Sequence, residues 1–216
     1  GCIEDPRTGR EARGVGTVQL SGKPRDVMVV GAGPAGLQAA IAAARNGHRV
    51  TVYEQQPQAG GQVRLAASVP NRAEFGDMIR NQLAECKRLG VTITYGVGVW
   101  PGFVQEQHPD HVIVATGAEP QRPWWVPADA PNVMDVREVL SQPGSGPQPG
   151  DSVVVVDEIG FHHATSVAEL LADRGCHVEI VTPGMVVGQD LGITLDMENW
   201  WMRAGAKGIV QSTDLV

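Results

Sequence analysis

Gly31, Gly33 and Gly36 stand at the spacing G-x-G-x-x-G in the stretch Gly31-Ala32-Gly33-Pro34-Ala35-Gly36, and Glu54 follows further along the chain. These residue types suit the binding of a diphosphate and a ribose. Glycine at 31 permits a tight turn, at 33 it lets a pyrophosphate approach the backbone with no Cβ in the way, and at 36 it lets a helix pack closely on a sheet. The unpaired N–H groups and positive dipole end of that helix favour an anion, and Pro34 gives up an N–H that had no helical partner. Glu54 can accept hydrogen bonds from a ribose 2′-hydroxyl and would repel a 2′-phosphate. The ligand class that follows is adenosine diphosphate-like, without that phosphate.

The glycine spacing gains its meaning from the elements that must position it. Val27 to Val30 read as an apolar strand, and a helix from about Pro34 to Asn46 carries Leu37, Ala40, Ile41 and Ala44 at helical spacing. Gly47 closes that helix, and Arg49 to Tyr53 form a second strand that ends at Glu54. Asn71 and Glu74 at capping-box spacing predict a helix from Asn71 to Leu89, with Phe75, Ile79, Leu83, Cys86 and Leu89 on one face. That face makes Cys86 a core residue. A buried strand is expected over Val91 to Tyr95, then a broken strand or hairpin to about Val104, while His108 and His111 read as solvated loop residues.

From Pro123 to Gly150 the chain is rich in Pro and Gly, and a linker and domain boundary are expected at 141–150. Trp124 and Trp125 in this stretch read as packing or interface residues. Asp151 onward repeats the opening pattern: a strand over Val153 to Val156, a turn, a helix from about Thr165 to Arg174, and a strand from His177 to Val181. Laid residue for residue on the first motif, Asp157 takes the place of Gly31, Ile159 that of Gly33 and His162 that of Gly36, while Thr182 replaces Glu54. A carboxylate at the turn, beside Glu158, opposes a pyrophosphate, so this half is expected to bind no NAD(P). His162 and His163 have no acid or nucleophile partner in sequence and read as structural. Gly188 to Gly205 gathers Leu195, Met197, Trp200, Trp201 and Met202 as a packing helix, and the end of the chain enters another strand.

The 216 residues are 42% hydrophobic, enough for a real core. A net charge of −7 argues against nucleic acid and anionic membrane as partners, and no apolar run is long enough to cross a bilayer. With no leader pattern, a cytoplasmic location is expected. The cysteines Cys2, Cys86 and Cys176 are far apart, which disfavours a disulfide framework.

Three segments carry a family resemblance. Val112-Ile113-Val114-Ala115-Thr116-Gly117-Ala118-Glu119-Pro120 resembles the apolar-A-T-G-x-x-P strand and turn of FAD-dependent pyridine nucleotide oxidoreductases. Gly60-Gly61-Gln62 is similar to the G-G-[QH] turn beside the adenosine and flavin linkage in that group. The segment from Cys2 to Glu11 resembles the C-x-x-[ND]-P-x-x-G-x-E arm of old yellow enzyme-type iron-sulfur flavoproteins, the group of 2,4-dienoyl-CoA reductase and trimethylamine dehydrogenase.

The resemblance implies an α/β, Rossmann-like FAD/NAD(P)-binding fold with two nucleotide-binding-type domains, the second incomplete and degenerate. It divides the chain into an arm at 1–25, an FAD- or ADP-binding part at 26–140, the linker, and a partial NAD(P)-type part at 151–216. In the reductase the second domain takes NADPH; in trimethylamine dehydrogenase it has the fold without the cofactor, and this chain resembles the latter. The binding set implied is Gly31, Ala32, Gly33, Pro34, Ala35, Gly36, Glu54, Gln55, Gly61, Gln62, Ala115, Thr116 and Gly117, with Cys2 as an iron-sulfur ligand. No catalytic residue is expected here. The chain would be a piece of a longer flavoenzyme whose barrel domain or subunit carries FMN, the parent being a homo-oligomer in which the cluster relays electrons. Two alternatives stay open: a non-redox module holding ADP, and a scaffold that docks a flavin barrel partner.

Overall fold

The run Val27-Met28-Val29 is buried because its strand has parallel neighbours on both sides. The computed structural model describes residues 2, 5–127, 129–141, 144 and 146–214. Gly1, Ile3 and Glu4 of the arm, Ala128, Gln142, Pro143 and Ser145 of the linker region, and Leu215 and Val216 lie outside the described residues. Two compact units form: Gly1–Ala67 with Ala73–Glu119, and Ser68–Arg72 with Pro120–Val216.

In the first unit the order is β1 (Asp26–Val30), α1 (Pro34–Arg45), β2 (Arg49–Glu54), α2 (Gln62–Ala67), α3 (Phe75–Arg88), β3 (Thr92–Tyr95), α4 (Pro101–Gln107) and β4 (His111–Val114). The strands make one parallel sheet in the order β3-β2-β1-β4. Leu37, Ala40 and Ile41 of α1 pack on Val27, Val29, Val50 and Val52, with Met78, Ile79 and Cys86 of α3 completing the core. Burying a side chain such as Leu37 stabilises by about 1.5–3 kcal/mol. Arg45 of α1 and Arg88 of α3 both bind the Glu85 carboxylate, and these two guanidinium groups hold that carboxyl down at about 2.

The second unit contains α5 (Val136–Ser141), β5 (Ser152–Val156), α6 (His162–Asp173), β6 (His177–Val181), a 3₁₀ turn at Gln189–Thr194, α7 (Met197–Ala206) and β7 (Val210–Ser212). Its parallel sheet runs β5-β6-β7. Val155, Ile180, Leu171, Leu191 and Trp200 form its centre, and the Trp200 indole N–H donates to the Thr165 carbonyl at 3.1 Å.

Several local expectations are corrected. The helix read from Asn71 starts at Phe75: Asn71 has φ 61 and no side chain caps the helix, so the Asn71/Glu74 capping box does not form. The strand over Val91 to Tyr95 is an edge strand, Thr92–Tyr95, with no fully buried residue. The broken strand or hairpin is instead α4: Pro101 suits a first helical turn, and Phe103 packs edge-on against Tyr53 with ring centroids 5.0 Å apart. Pro120 onward groups with the second unit, and Val139 of α5, just ahead of the 141–150 linker, is buried in the second core. Local composition marks where a chain can bend, whereas Val136, Val139 and Leu140 pack this segment on the second core.

Candidate functional site

The three glycines of the first crossover have different surroundings. Gly31 has φ +103 and donates its N–H to the Tyr53 carbonyl at 2.8 Å; a Cβ there would lie 2.4 Å from the Ala115 carbonyl oxygen. A Cβ at Gly36 would lie 1.9 Å from the Gly31 oxygen. Gly31 and Gly36 are thus required by the protein's own packing. Around Gly33, by contrast, a Cβ would meet no atom within 4 Å, and its backbone is ordinary extended chain at φ −75. The open face at Gly33 adjoins the first turn of α1. Leu37 N–H closes that turn on the Gly33 carbonyl at 2.9 Å, leaving the amides of Ala35 and Gly36 ahead of it, where a helix has no internal acceptor.

Glu54 ties this loop to the next strand. It is 7% exposed; its Oε2 accepts the Ala32 N–H at 2.7 Å and its Oε1 the Gln56 N–H at 2.8 Å. Each carboxylate oxygen retains a further lone pair. Gln55 beside it is exposed. The Ala32 carbonyl accepts the Gly60 N–H at 2.9 Å, and a Cβ at Gly61 would lie 3.5 Å from Gly33 Cα, so the Gly60-Gly61 turn borders the open face. From the start of α2, Gln62 Nε2 donates to the Ala118 carbonyl at 2.8 Å and ties this turn to the exit of β4. There Ala115 N–H pairs with the Val30 carbonyl at 2.8 Å, Thr116 is exposed, and Gly117 turns at φ +81 with open space around it. The structure therefore brings together the residues read from Gly31 to Gly36, Glu54, Gly61, Gln62 and Ala115 to Gly117.

Two contributors escaped sequence reading. Val97 N–H donates to the Glu54 carbonyl at 3.0 Å and Gly96 N–H to the Gln56 carbonyl at 3.2 Å, which places the loop after β3 on the same rim. Gln82 of α3 donates to the Pro34 carbonyl at 3.2 Å, and its Oε1 is buried without a hydrogen-bond partner. The rule that ligands settle at the carboxyl ends of parallel strands points to the first; nothing local points to the second.

The remaining candidates separate from this rim. Cys2 is exposed, and no group of three His, Cys, Asp or Glu side chains among the described residues could hold a metal. Cys86 is in the core, and burial, with Glu85 next to it, pushes its thiol up to about 11. His108 ends α4 in the left-handed region at φ 49.

At the second crossover the strand register matches the first: Asp157 N–H donates to the Val181 carbonyl at 2.8 Å, as Gly31 does to Tyr53. The turn itself is longer. Gly31 to Gly33 separate β1 from α1, whereas Asp157 to Phe161 separate β5 from α6. The ungapped superposition is corrected accordingly: Phe161, not Ile159, precedes the helix as Gly33 does, and buried Ala164, not His162, takes the place of Gly36. Ile159 points outward, 61% exposed. His162 packs against Arg72, whose Nη2 faces its Nδ1; Arg72 also reaches Asp196 at 3.3 Å and Ser166 at 3.3 Å. Burial and then the Arg72 charge lower the His162 pKa to about 4, so the ring is neutral near pH 7.

The family model described as pyridine nucleotide-disulphide oxidoreductase matches residues 25–191. A protein named "Probable N-methylproline demethylase" from Rhizobium meliloti (strain 1021) is 37% identical over 182 residues, 84% of this chain and 26% of its own length. The N,N-dimethylglycine/sarcosine dehydrogenase of Chromohalobacter salexigens is 33% identical over 222 residues, covering 99% of this chain and 31% of that protein. A solved 2-naphthoyl-CoA reductase in complex with 2-naphthoyl-CoA superposes with a TM-score of 0.90 at 27% identity, over 100% of this chain and 32% of that one. The chain thus spans about a third or less of the length of each of these three proteins.

Proposed function

The chain belongs to the pyridine nucleotide-disulphide oxidoreductase family, and on that footing we propose that its first unit holds FAD for a larger iron-sulfur flavoenzyme of the old yellow enzyme type. The observation that carries this reading is the contrast among the glycines: Gly31 and Gly36 are crowded by protein atoms, while the open face of Gly33 has room for a diphosphate. The rim fits the group in its other parts too. Ala35 and Gly36 offer amides to an anion, Glu54 offers free lone pairs beside Ala32, and Gly61, Gln62 and Ala115 to Gly117 frame the opening.

FAD, when bound, supplies a flavin that accepts and passes on electrons. The chain's own residues bind and orient: the α1 amides hold the diphosphate, Glu54 and the neighbouring Gln55 hold the ribose, and the Gln62 to Ala118 hydrogen bond keeps the two flanking turns at a fixed spacing. The redox partners lie outside these residues, in a barrel carrying FMN and a cluster for which Cys2 supplies one ligand. The two curated relatives are named for N-methylated amino acids, which supports an N-methyl amine as the substrate of the larger protein. The larger protein works in the cytoplasm as a homo-oligomer. The second unit takes no NAD(P), a reading supported by Asp157, Phe161 and Ala164 standing where the first crossover has Gly31, Gly33 and Gly36.

A second reading, ADP without flavin, is favoured by the fact that the residues gathered on the rim surround the diphosphate and ribose half of such a ligand. The absorbance spectrum of purified protein, taken before and after heat release of bound nucleotide, separates the two. Flavin bands in the supernatant are expected; adenine absorbance alone establishes the ADP reading, and neither signal after incubation with FAD and ADP overturns both.

A further inference from the structure

At the end of β5, where the first unit has Gly31, the second unit has a carboxylate turned inward. Asp157 is 2% exposed. Its Oδ1 accepts the Gly160 N–H at 2.8 Å and its Oδ2 the Gly188 N–H at 3.1 Å. The two donors come from different loops: Gly160 lies in the turn before α6, and Gly188 lies between β6 and the 3₁₀ turn. Both have positive φ, +71 and +67, and Asp190 N–H donates to the Gly160 carbonyl at 2.8 Å, which fastens the loops to each other. The strand-end equivalent of Glu54 is Thr182, whose hydroxyl oxygen accepts the Gly184 N–H at 3.1 Å. The two crossovers thus place their acid differently: on the neighbouring strand in the first, on the strand of the turn itself in the second.

We infer that Asp157 is a built-in anion: its carboxylate fills a two-amide cradle at the second crossover and makes that crossover refuse phosphate. The inference rests on the reading that the second unit takes no NAD(P), and it names the residue responsible. Two converging backbone amides form a good site for an oxyanion, and charge-assisted bonds from N–H to carboxylate are among the stronger ones. In the first unit the matching turn amide, Ala32 N–H, is held from the neighbouring strand by Glu54 at 2.7 Å, while a Cβ at Gly33 would meet no atom within 4 Å, so the face beside α1 stays open to the anion of a ligand. At the second, the cradle is satisfied on folding, and a diphosphate would meet like charge in place of free donors. Glu158 adds to this, its carboxylate held by the Trp125 indole N–H at 3.0 Å.

Chemical rescue tests the assignment. Asp157→Ala removes the carboxylate and leaves both amides without an acceptor. With the first unit saturated by ADP throughout, sodium formate or pyrophosphate added to this variant is expected to raise its thermal midpoint in a saturable way, sodium chloride at equal ionic strength is expected to have no such effect, and the unsubstituted chain is expected to respond to none of them. If the variant is unfolded in plain buffer, refolding yield with formate against chloride gives the same answer. In the unsubstituted chain the Gly160 and Gly188 amide resonances stay fixed as pyrophosphate is added. Equal responses of the variant to formate and chloride, in midpoint or in yield, overturn the role of Asp157 and leave the reading of the second unit standing. Saturable NADH binding by the ADP-loaded unsubstituted chain overturns that reading itself.

Discussion

Gly36 lies so close to Gly31 that a Cβ at position 36 would be 1.9 Å from the Gly31 carbonyl oxygen, and this contact sets how near α1 comes to the end of β1. Gly33, between them, has no such neighbour. Glycines that look equivalent in sequence therefore answer to different constraints. Gly36→Ala must push α1 away from backbone, and overpacking of this kind costs about 1–3 kcal/mol or more. Gly33→Ala keeps a compatible backbone and is expected to be neutral or to stabilise by about 0.4–1 kcal/mol, while nucleotide binding weakens. Urea denaturation together with nucleotide content distinguishes the two: the first variant loses stability, the second only its ligand.

Glu54→Gln is expected to weaken both the fold and the ligand site. The amide offers one acceptor where the carboxylate offered two, so either the Ala32 or the Gln56 N–H loses its partner. An unsatisfied buried donor costs about 1–3 kcal/mol. The denaturation midpoint should fall even in nucleotide-free protein, and adenosine affinity should fall further.

Thiol labelling separates the cysteines. Cys2 is exposed, while Cys86 is fully buried with its thiol pushed up to about 11. Folded protein at pH 8 should react rapidly at Cys2 and leave Cys86 intact, and Cys86 should react at full rate only in denaturant, since reactivity follows the thiolate. Peptide mass mapping reads the result.

Stability should fall on mild acidification because of His162. Its pKa drops from the ordinary 6.5 to about 4 in the folded protein, so the unfolded chain binds the proton first. The contribution is complete above about pH 6.5 and is lost as pH falls from there to about 4. Asp196, Arg203 and His163 also act on the ring, and Arg72 is its closest cation. The difference in urea midpoint between the unsubstituted chain and His162→Gln should change with pH across that window and be flat above it.

The first crossover was legible because its parts are close in sequence and of distinctive type: β1, Gly31 to Gly36, α1, β2 and Glu54 form one short unit. The same logic found the second strand–helix–strand but placed Ile159 and His162 wrongly, because an ungapped superposition cannot detect the longer turn from Asp157 to Phe161. Contacts made across long stretches of chain left no trace. Arg72 against His162, Gln62 to Ala118 and Gln82 to Pro34 each join residues whose neighbours give no periodic signal. The α4 helix has a weak local signal: Val97 and Val99 alternate with Gly96 and Gly98 like a strand, whereas Pro101 opens the helix and Phe103 packs on Tyr53 just beyond them.

A crystal structure of the protein grown with saturating ADP tests the central claim most directly. The account predicts the diphosphate against Gly33 and the first turn of α1, with a ribose at Glu54 and Asp157 still bound to Gly160 and Gly188. A diphosphate lying instead at Gly160 and Phe161, with Gly33 facing solvent, would contradict it.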